Sequence, residues 1–351
     1  MVLPFLRLIP LGGTGPEDVV VDHLGRVLTG LGDGRILRVH PHGPARVEQI
    51  ARTGGRPLGL EVLRDGRVLV CDAERGLLRV TPAADPDPDP GLDADPSSNS
   101  GHGSSSVSGS DGHVEVLVDR VAGAPLRFCS NAAAAADGSV YFTVSSRRYG
   151  LREWLGDLIE RTATGRLFRL PPGGGEPELL LDGLHFANGV VLVDEEETEG
   201  KGKEKEKGSC VVVAESGAYR LTRLWLSGPL AGRRDTLIDS LPGFPDNLSR
   251  AADGTIWVAL AGPRQAPLDW LHHAPVGVRR AVWRTVRPLG IRPLPVARVM
   301  GIGPDGRVRH DLRRRRAGYR MVTSVYEHEG SLILGSLLED GIAVCELPKG
   351  A

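Results

Sequence analysis

A short pattern recurs along the chain: an apolar, β-branched run, a tight glycine turn, a second apolar run, another turn and a third run. Residues 19–39 read VVVDHLGRVLTGLGDGRILRV, and residues 60–80 read LEVLRDGRVLVCDAERGLLRV. The pattern returns as AAAADGSVYFTVSS followed by TGRLFRL within 133–170, and as NGVVLV, an insertion and CVVVAESGAYRLTRLWL within 188–226. LSRAADGTIWVAL at 248–260 opens a fifth copy, and SVYEHEGSLILGSLLEDGIAVCEL at 324–347 supplies a sixth. Runs rich in Val, Ile, Leu and aromatic residues bounded by Gly and Asp are strands. A period of roughly 40 residues is the length of a four-stranded propeller blade. The pattern therefore predicts an all-β fold, a six-bladed β-propeller formed by residues 1–351 as a single domain.

Gly25, Gly66, Gly138, Gly254 and Gly330 fall at the first hairpin turn of their copies, where positive φ is needed and glycine has no steric penalty. Two segments break the β pattern. RRYGLREWLGDLIERTATGR (147–166) places Leu151, Trp154, Leu155 and Leu158 at helical spacing, and the stretch from Pro263 to about Val299 also reads as partly helical. Both interrupt blades and are expected to fold over one end of the propeller as a small, partly helical cap. Residues 83–112 are Pro/Asp- and then Ser/Gly-rich, and residues 194–208 are almost wholly charged. Neither has the apolar groups to offset its ordering entropy, so both are expected to be disordered insertions.

Composition narrows the function. The 351 residues carry a formal net charge of −1 and only 5% aromatics, which gives no reason to expect nucleic acid. No apolar run of membrane-spanning length occurs. The N-terminal apolar stretch is interrupted by Pro4, Arg7 and Pro10, unlike a signal peptide, so a cytoplasmic location is the expectation. Cys71, Cys129, Cys210 and Cys345 form no CxxC pair and read as small buried hydrophobes.

In a propeller the first strand of each blade lines the central channel. The chain there reads Pro16-Glu17-Asp18, Cys129-Ser130-Asn131, Phe186-Ala187-Asn188 and Pro245-Asp246-Asn247 in four copies. The second copy has Arg56-Pro57-Leu58-Gly59 and the sixth Val322-Thr323-Ser324. Converging carboxylate and carboxamide oxygens without Cys or His suit a hard cation, calcium or another divalent ion, better than zinc.

The segments RFCSNAAAAADGSVYFTVSSRRYGLREWL, HFANGVVL, VVVAESGAYRLTRLWL and LPGFPDNLSRAADGTIWVAL together resemble the strictosidine synthase-like family. Its wider superfamily of six-bladed propellers includes gluconolactonases, paraoxonases and the adipocyte plasma-membrane-associated protein. The resemblance implies a channel calcium held by Glu17, Asn131, Asn188 and Asp246, with Asn247 contributing. It also implies that Asp246 acts as base or nucleophile beside the metal. His185, three residues before Asn188, is a second catalytic candidate.

The departures are informative. Ala132 and Val144 stand where the family usually carries aspartates. Thr323 stands where strictosidine synthases carry their catalytic glutamate, which argues against that condensation, and Leu58 replaces a paraoxonase histidine. The expected function is calcium-dependent hydrolysis of small esters or lactones. The alternatives are a non-catalytic, metal-stabilised propeller that binds a small ligand or protein, and a bond-forming biosynthetic enzyme.

Overall fold

The computed structural model describes residues 1–41, 46–83, 112–194, 208–289 and 293–348. Six four-stranded antiparallel sheets are formed. Blade 1 comprises Val19–Val21, Val27–Gly30, Arg35–His40 and Arg46–Arg52; blade 2 comprises Pro57–Val62, Val68–Asp72, Gly76–Thr81 and His113–Val118. Blade 3 runs through Cys129–Ala134, Val140–Val144, Gly165–Leu170 and Glu178–Leu184, and blade 4 through Ala187–Asp194, Ser209–Glu215, Arg220–Trp225 and Arg234–Ile238. Blade 5 uses Gly243–Arg250, Ile256–Pro263, Val296–Ile302 and Val308–Arg315. Blade 6 uses Val322–His328, Ser331–Ser336 and Gly341–Glu346, and its outer strand is the N-terminal Arg7–Pro10, with Arg7 opposite Val344. Pairing the start of the chain with its end closes the ring and leaves no open interface between first and last blades.

The core lies between the blades, because each sheet buries both faces against its neighbours. Alternation assigns the faces: Val19 and Val21 pack toward blade 6 with Ile333 and Ile342, whereas Val20 packs toward blade 2 with Leu60 and Val70. Trp257, fully buried, joins blades 5 and 6 with Val299, Val325 and Leu334, and its Nε1 donates to Glu327 Oε2 at 3.1 Å. The five turn glycines have φ between 72° and 87°. The four cysteines are free and buried.

Strand 1 of each blade runs away from the channel mouth and strand 2 returns to it, so the loops from strand 2 to strand 3 emerge over the mouth. Two of these loops carry the helices. Blade 3 inserts α1 (Trp154–Glu160), and blade 5 inserts α2 (Ala266–Leu271) and α3 (Val276–Val286). The helices meet where Trp283 stacks edge-on against Tyr149, with centroids 6.0 Å apart, and covers Gly156. The expected cap is therefore present, on the face where the inner strands begin. The two low-complexity insertions lie outside the described residues apart from their flanks. Asp194 and Gly208 flank one on the first hairpin of blade 4, and Ala83 and Gly112 flank the other between the two outer strands of blade 2.

Candidate active site at the capped mouth of the channel

A β-bulge sits at the start of the inner strand in blades 2 to 6, with register shifts between Pro57 and Leu60, Cys129 and Ala132, Ala187 and Val190, Pro245 and Leu248, and Val322 and Ser324. A regular strand would send successive side chains to opposite faces; the bulge re-aims two in a row at the channel. The residue two positions before Glu17, Ser130, Asn188 and Thr323 takes a left-handed turn: Gly15 (φ 71°), Phe128 (58°), Phe186 (60°) and Met321 (49°). Left-handed backbone is unfavourable for non-glycine residues, and such strain gathers at functional sites.

This geometry sorts the strand starts into two rings. The upper ring is Glu17, Leu58, Ser130, Asn188, Asp246 and Thr323, all of which line one cavity of about 480 Å³ beneath the cap. The lower ring is Asp18, Gly59, Asn131, Gly189, Asn247 and Ser324. Gly59 and Gly189 are glycines because neighbouring backbone passes through the space of a side chain. A Cβ on Gly59 would lie 2.6 Å from Asn131 Cα, and one on Gly189 2.6 Å from Asp246 O.

The lower ring fastens the six blades to one another. Asp18 Oδ2 accepts the Leu60 N–H (2.8 Å) and Asn131 Nδ2 (3.2 Å), and its Oδ1 accepts Ser324 Oγ (2.5 Å). Asn131 Oδ1 accepts the Val190 N–H (3.2 Å), and its Nδ2 reaches Asn247 Oδ1 (3.3 Å). Asn247 Nδ2 then donates upward to Glu17 Oε1 at 3.1 Å. Every blade contributes a donor or acceptor to this buried network. Burial raises the Asp18 carboxyl to about 6, held down in part by the bonds from Ser324 and Leu60.

The upper ring is organised differently. Ser130 Oγ donates to Asn188 Oδ1 (2.9 Å), Asn188 Nδ2 points to Ser216 Oγ (3.4 Å), and Ser216 Oγ donates to the Pro245 carbonyl (2.5 Å). Thr323 Oγ1 donates to the Glu17 carbonyl at 2.6 Å. Glu17 Oε2 and Asp246 Oδ1 are buried with no hydrogen-bond partner. Burial first, then the neighbouring Asp246 and Asp18, holds the Glu17 carboxyl well above the usual range; burial and Asp18 do the same to Asp246. Two buried carboxylates with unused oxygens in one cavity is an arrangement that a cation would complete. Among the described residues no three His, Cys, Asp or Glu side chains form a metal-ligating group.

The cavity walls are apolar. Phe128, Phe186, Phe244 and Leu58 line it from the propeller, and Trp154, Leu155 and Leu158 from the α1 segment. Phe128 and Phe186 pack edge-to-face, centroids 5.5 Å apart. Leu268 and Leu294 close it from the blade 5 loop.

The structure thus brings Glu17, Asn188 and Asp246 together. It places Asn131 and Asn247 one ring lower, with their amides committed to the blade-to-blade network. Ser130, not Asn131, holds the upper position in blade 3. The Phe preceding the bulges of blades 3 and 4 is the signal that would have set this register: Phe128 is two residues before Ser130, as Phe186 is before Asn188. Ser216, at the end of the second strand of blade 4, carries no comparable signal. His185 is not among the residues lining the cavity. Its backbone N–H donates to Glu215 (2.8 Å), and burial together with Arg161 pushes its imidazole down to about 4.

Two family models match the sequence, strictosidine synthase over residues 132–229 and strictosidine synthase-like, N-terminal over residues 3–39. The adipocyte plasma membrane-associated protein of Salmo salar is 30% identical over 360 aligned residues, 95% of this chain and 76% of that protein. The chain belongs to the strictosidine synthase-like family. Within it, strictosidine synthase-like 10 of Arabidopsis thaliana is 29% identical, covering 99% of this chain and 89% of that protein. Among solved structures, a Xanthomonas campestris gluconolactonase superposes with a TM-score of 0.60 at 15% identity, covering 98% of this chain and 90% of that one. A putative gluconolactonase gives 0.57 at 17%, covering 98% of this chain and 93% of that one. These two share the fold with this family member. No helix among the described residues is long and apolar enough to cross a membrane.

Proposed function

We propose that this strictosidine synthase-like propeller is a calcium-dependent hydrolase of small esters or lactones. The observation that carries the reading is the pair of unpartnered, buried oxygens, Glu17 Oε2 and Asp246 Oδ1, on the wall of a capped cavity. Glu17, Asn188 and Asp246 would hold the ion. Asn131 and Asn247 would join only by releasing their bonds in the lower ring. Calcium, or another hard divalent cation, accepts this mixture of carboxylate and amide oxygens. When bound, the ion would polarise the carbonyl of an ester or lactone.

The chain's own residues supply the rest. Ser130 orients Asn188, and Ser216 fixes the Pro245 carbonyl immediately before Asp246. Asp246 Oδ1 has no hydrogen-bond partner, so beside the ion this carboxylate would be placed to take the proton of an attacking water or to attack the acyl carbon itself. The cap helices keep the reacting bond out of bulk water. His185 has no part in this scheme, since it does not line the cavity.

Thr323 occupies the cavity where a bond-forming relative would carry glutamate, and its hydroxyl is bonded to the Glu17 carbonyl. That favours hydrolysis over condensation. The test is a panel of lactones and aryl esters, assayed with calcium, after chelation and with Asp246→Ala. Turnover lost on both treatments supports the proposal. A full complement of bound ion with no turnover on any substrate would leave a non-catalytic, metal-stabilised binding propeller.

A further inference from the structure

The cavity's hydrogen-bonding capacity is almost fully committed inside the protein. The hydroxyls of Ser130, Ser216 and Thr323 donate to Asn188, to the Pro245 carbonyl and to the Glu17 carbonyl. Asn188 donates to Ser216, and Gln265 Nε2 to the Pro263 carbonyl at 3.1 Å. Among the described lining side chains, what remains open are the two carboxylate oxygens that the proposed ion would occupy and the carbonyl of Gln265, an exposed residue of the cap. No lysine, arginine or histidine is among the described lining residues. The rest of the wall is aromatic or aliphatic, from Phe128 and Phe186 at the base to Leu268 and Leu294 at the cap.

From this we infer that the cavity selects neutral ligands with a long alkyl or aryl substituent and rejects polyhydroxylated sugar lactones. The inference deepens the hydrolase reading and, where it concerns turnover, rests on it. A sugar lactone would bring several hydroxyl groups against Leu, Phe and Trp side chains. Each hydroxyl buried without a partner reduces binding by about 5- to 150-fold. An alkyl chain meets no such penalty. Each methylene buried strengthens binding by about fourfold, and at ~30 Å³ per water the cavity has the room of roughly 16 water molecules. The reaction balances with water alone: water adds to the acyl carbon, the acyl C–O bond breaks, and the leaving oxygen takes the proton to give a hydroxy acid.

The experiment compares δ-valerolactone, a series of δ-alkyl δ-lactones of increasing chain length, and glucono-δ-lactone on the calcium-loaded chain. The matching δ-alkyl lactams, which resist hydrolysis, are titrated in parallel. We expect kcat/KM to rise about fourfold per methylene until the cavity is filled, with glucono-δ-lactone at least 100-fold below δ-valerolactone. Leu294→Asn, at the half-exposed rim, should flatten the rise. A flat chain-length profile, or glucono-δ-lactone as the better substrate, would overturn the selectivity and leave the hydrolase reading standing. No lactone turnover, together with lactam affinity that climbs with chain length, supports the cavity's selectivity and removes the hydrolase reading. Lactams that bind without regard to chain length would overturn the selectivity outright.

Discussion

Replacing Asp18 by alanine should loosen the propeller at its axis more than any exposed charge could. Its carboxylate accepts bonds from Leu60 in blade 2, Asn131 in blade 3 and Ser324 in blade 6, all buried. Asn131 keeps a second partner in Asn247, and the Ser324 hydroxyl can turn, but the Leu60 N–H is left with no acceptor. One orphaned buried donor costs about 1–3 kcal/mol, and each lost bond to a charged acceptor contributes about 1.5–3 kcal/mol. Against this stands a gain. The Asp18 carboxyl is raised from 3.8 to about 6, so its ionised form costs the fold about 3 kcal/mol above that pH. The net expectation for Asp18→Ala at pH 7.5 is a loss of about 3–6 kcal/mol. Asp18→Asn keeps an acceptor for Leu60 and Asn131 and sheds the charge, so it should lose under about 2 kcal/mol. Urea denaturation followed by tryptophan fluorescence measures both. If Asp18→Ala loses less than about 1 kcal/mol, or Asp18→Asn loses as much as Ala, the lower ring does not join the blades as described.

Two further outcomes follow from the same channel. Gly189→Ala should destabilise by about 1–3 kcal/mol or more, because its Cβ would meet Asp246 O at 2.6 Å and Asn247 C at 2.7 Å; Gly150→Ala, in open space, should be near neutral in the same denaturation assay. Glu61, at the opposite end of the channel, is raised by burial and by Asp18 from 4.5 to about 7. Its folded pKa is the higher one, so the fold is penalised as pH rises from 4.5 towards 7, by up to about 3 kcal/mol beyond it. Glu61→Gln should therefore match the wild type near pH 4 and be more stable at pH 8; equal stability at both would remove this assignment.

The fold was legible because its signals are local and repeated. Val19-Val20-Val21 alternates between two inter-blade cores, and each Asp-Gly or Glu-Gly turn marks one hairpin. The helical spacing of Leu151, Trp154 and Leu158 revealed α1, and the direction of strand 2 put it over the mouth. The site was legible only to within one residue. CSN and FAN both end in asparagine, which aligns Asn131 with Asn188, but the bulges begin one residue after Phe128 and Phe186, and that register brings Ser130 level with Asn188. His185 is close to Asn188 in sequence, yet it is not among the residues that line the cavity. Ser216 reaches the site from a different strand, by a contact that no spacing encodes.

The central claim is that the free oxygens of Glu17 and Asp246 hold a divalent cation, and calorimetric titration of the chelator-stripped chain with calcium tests it most directly. One ion per chain is expected, with affinity falling at least 100-fold in both Glu17→Gln and Asp246→Asn and unchanged in Glu61→Gln. Absence of binding by the folded wild type, or equal binding by all four proteins, would contradict it.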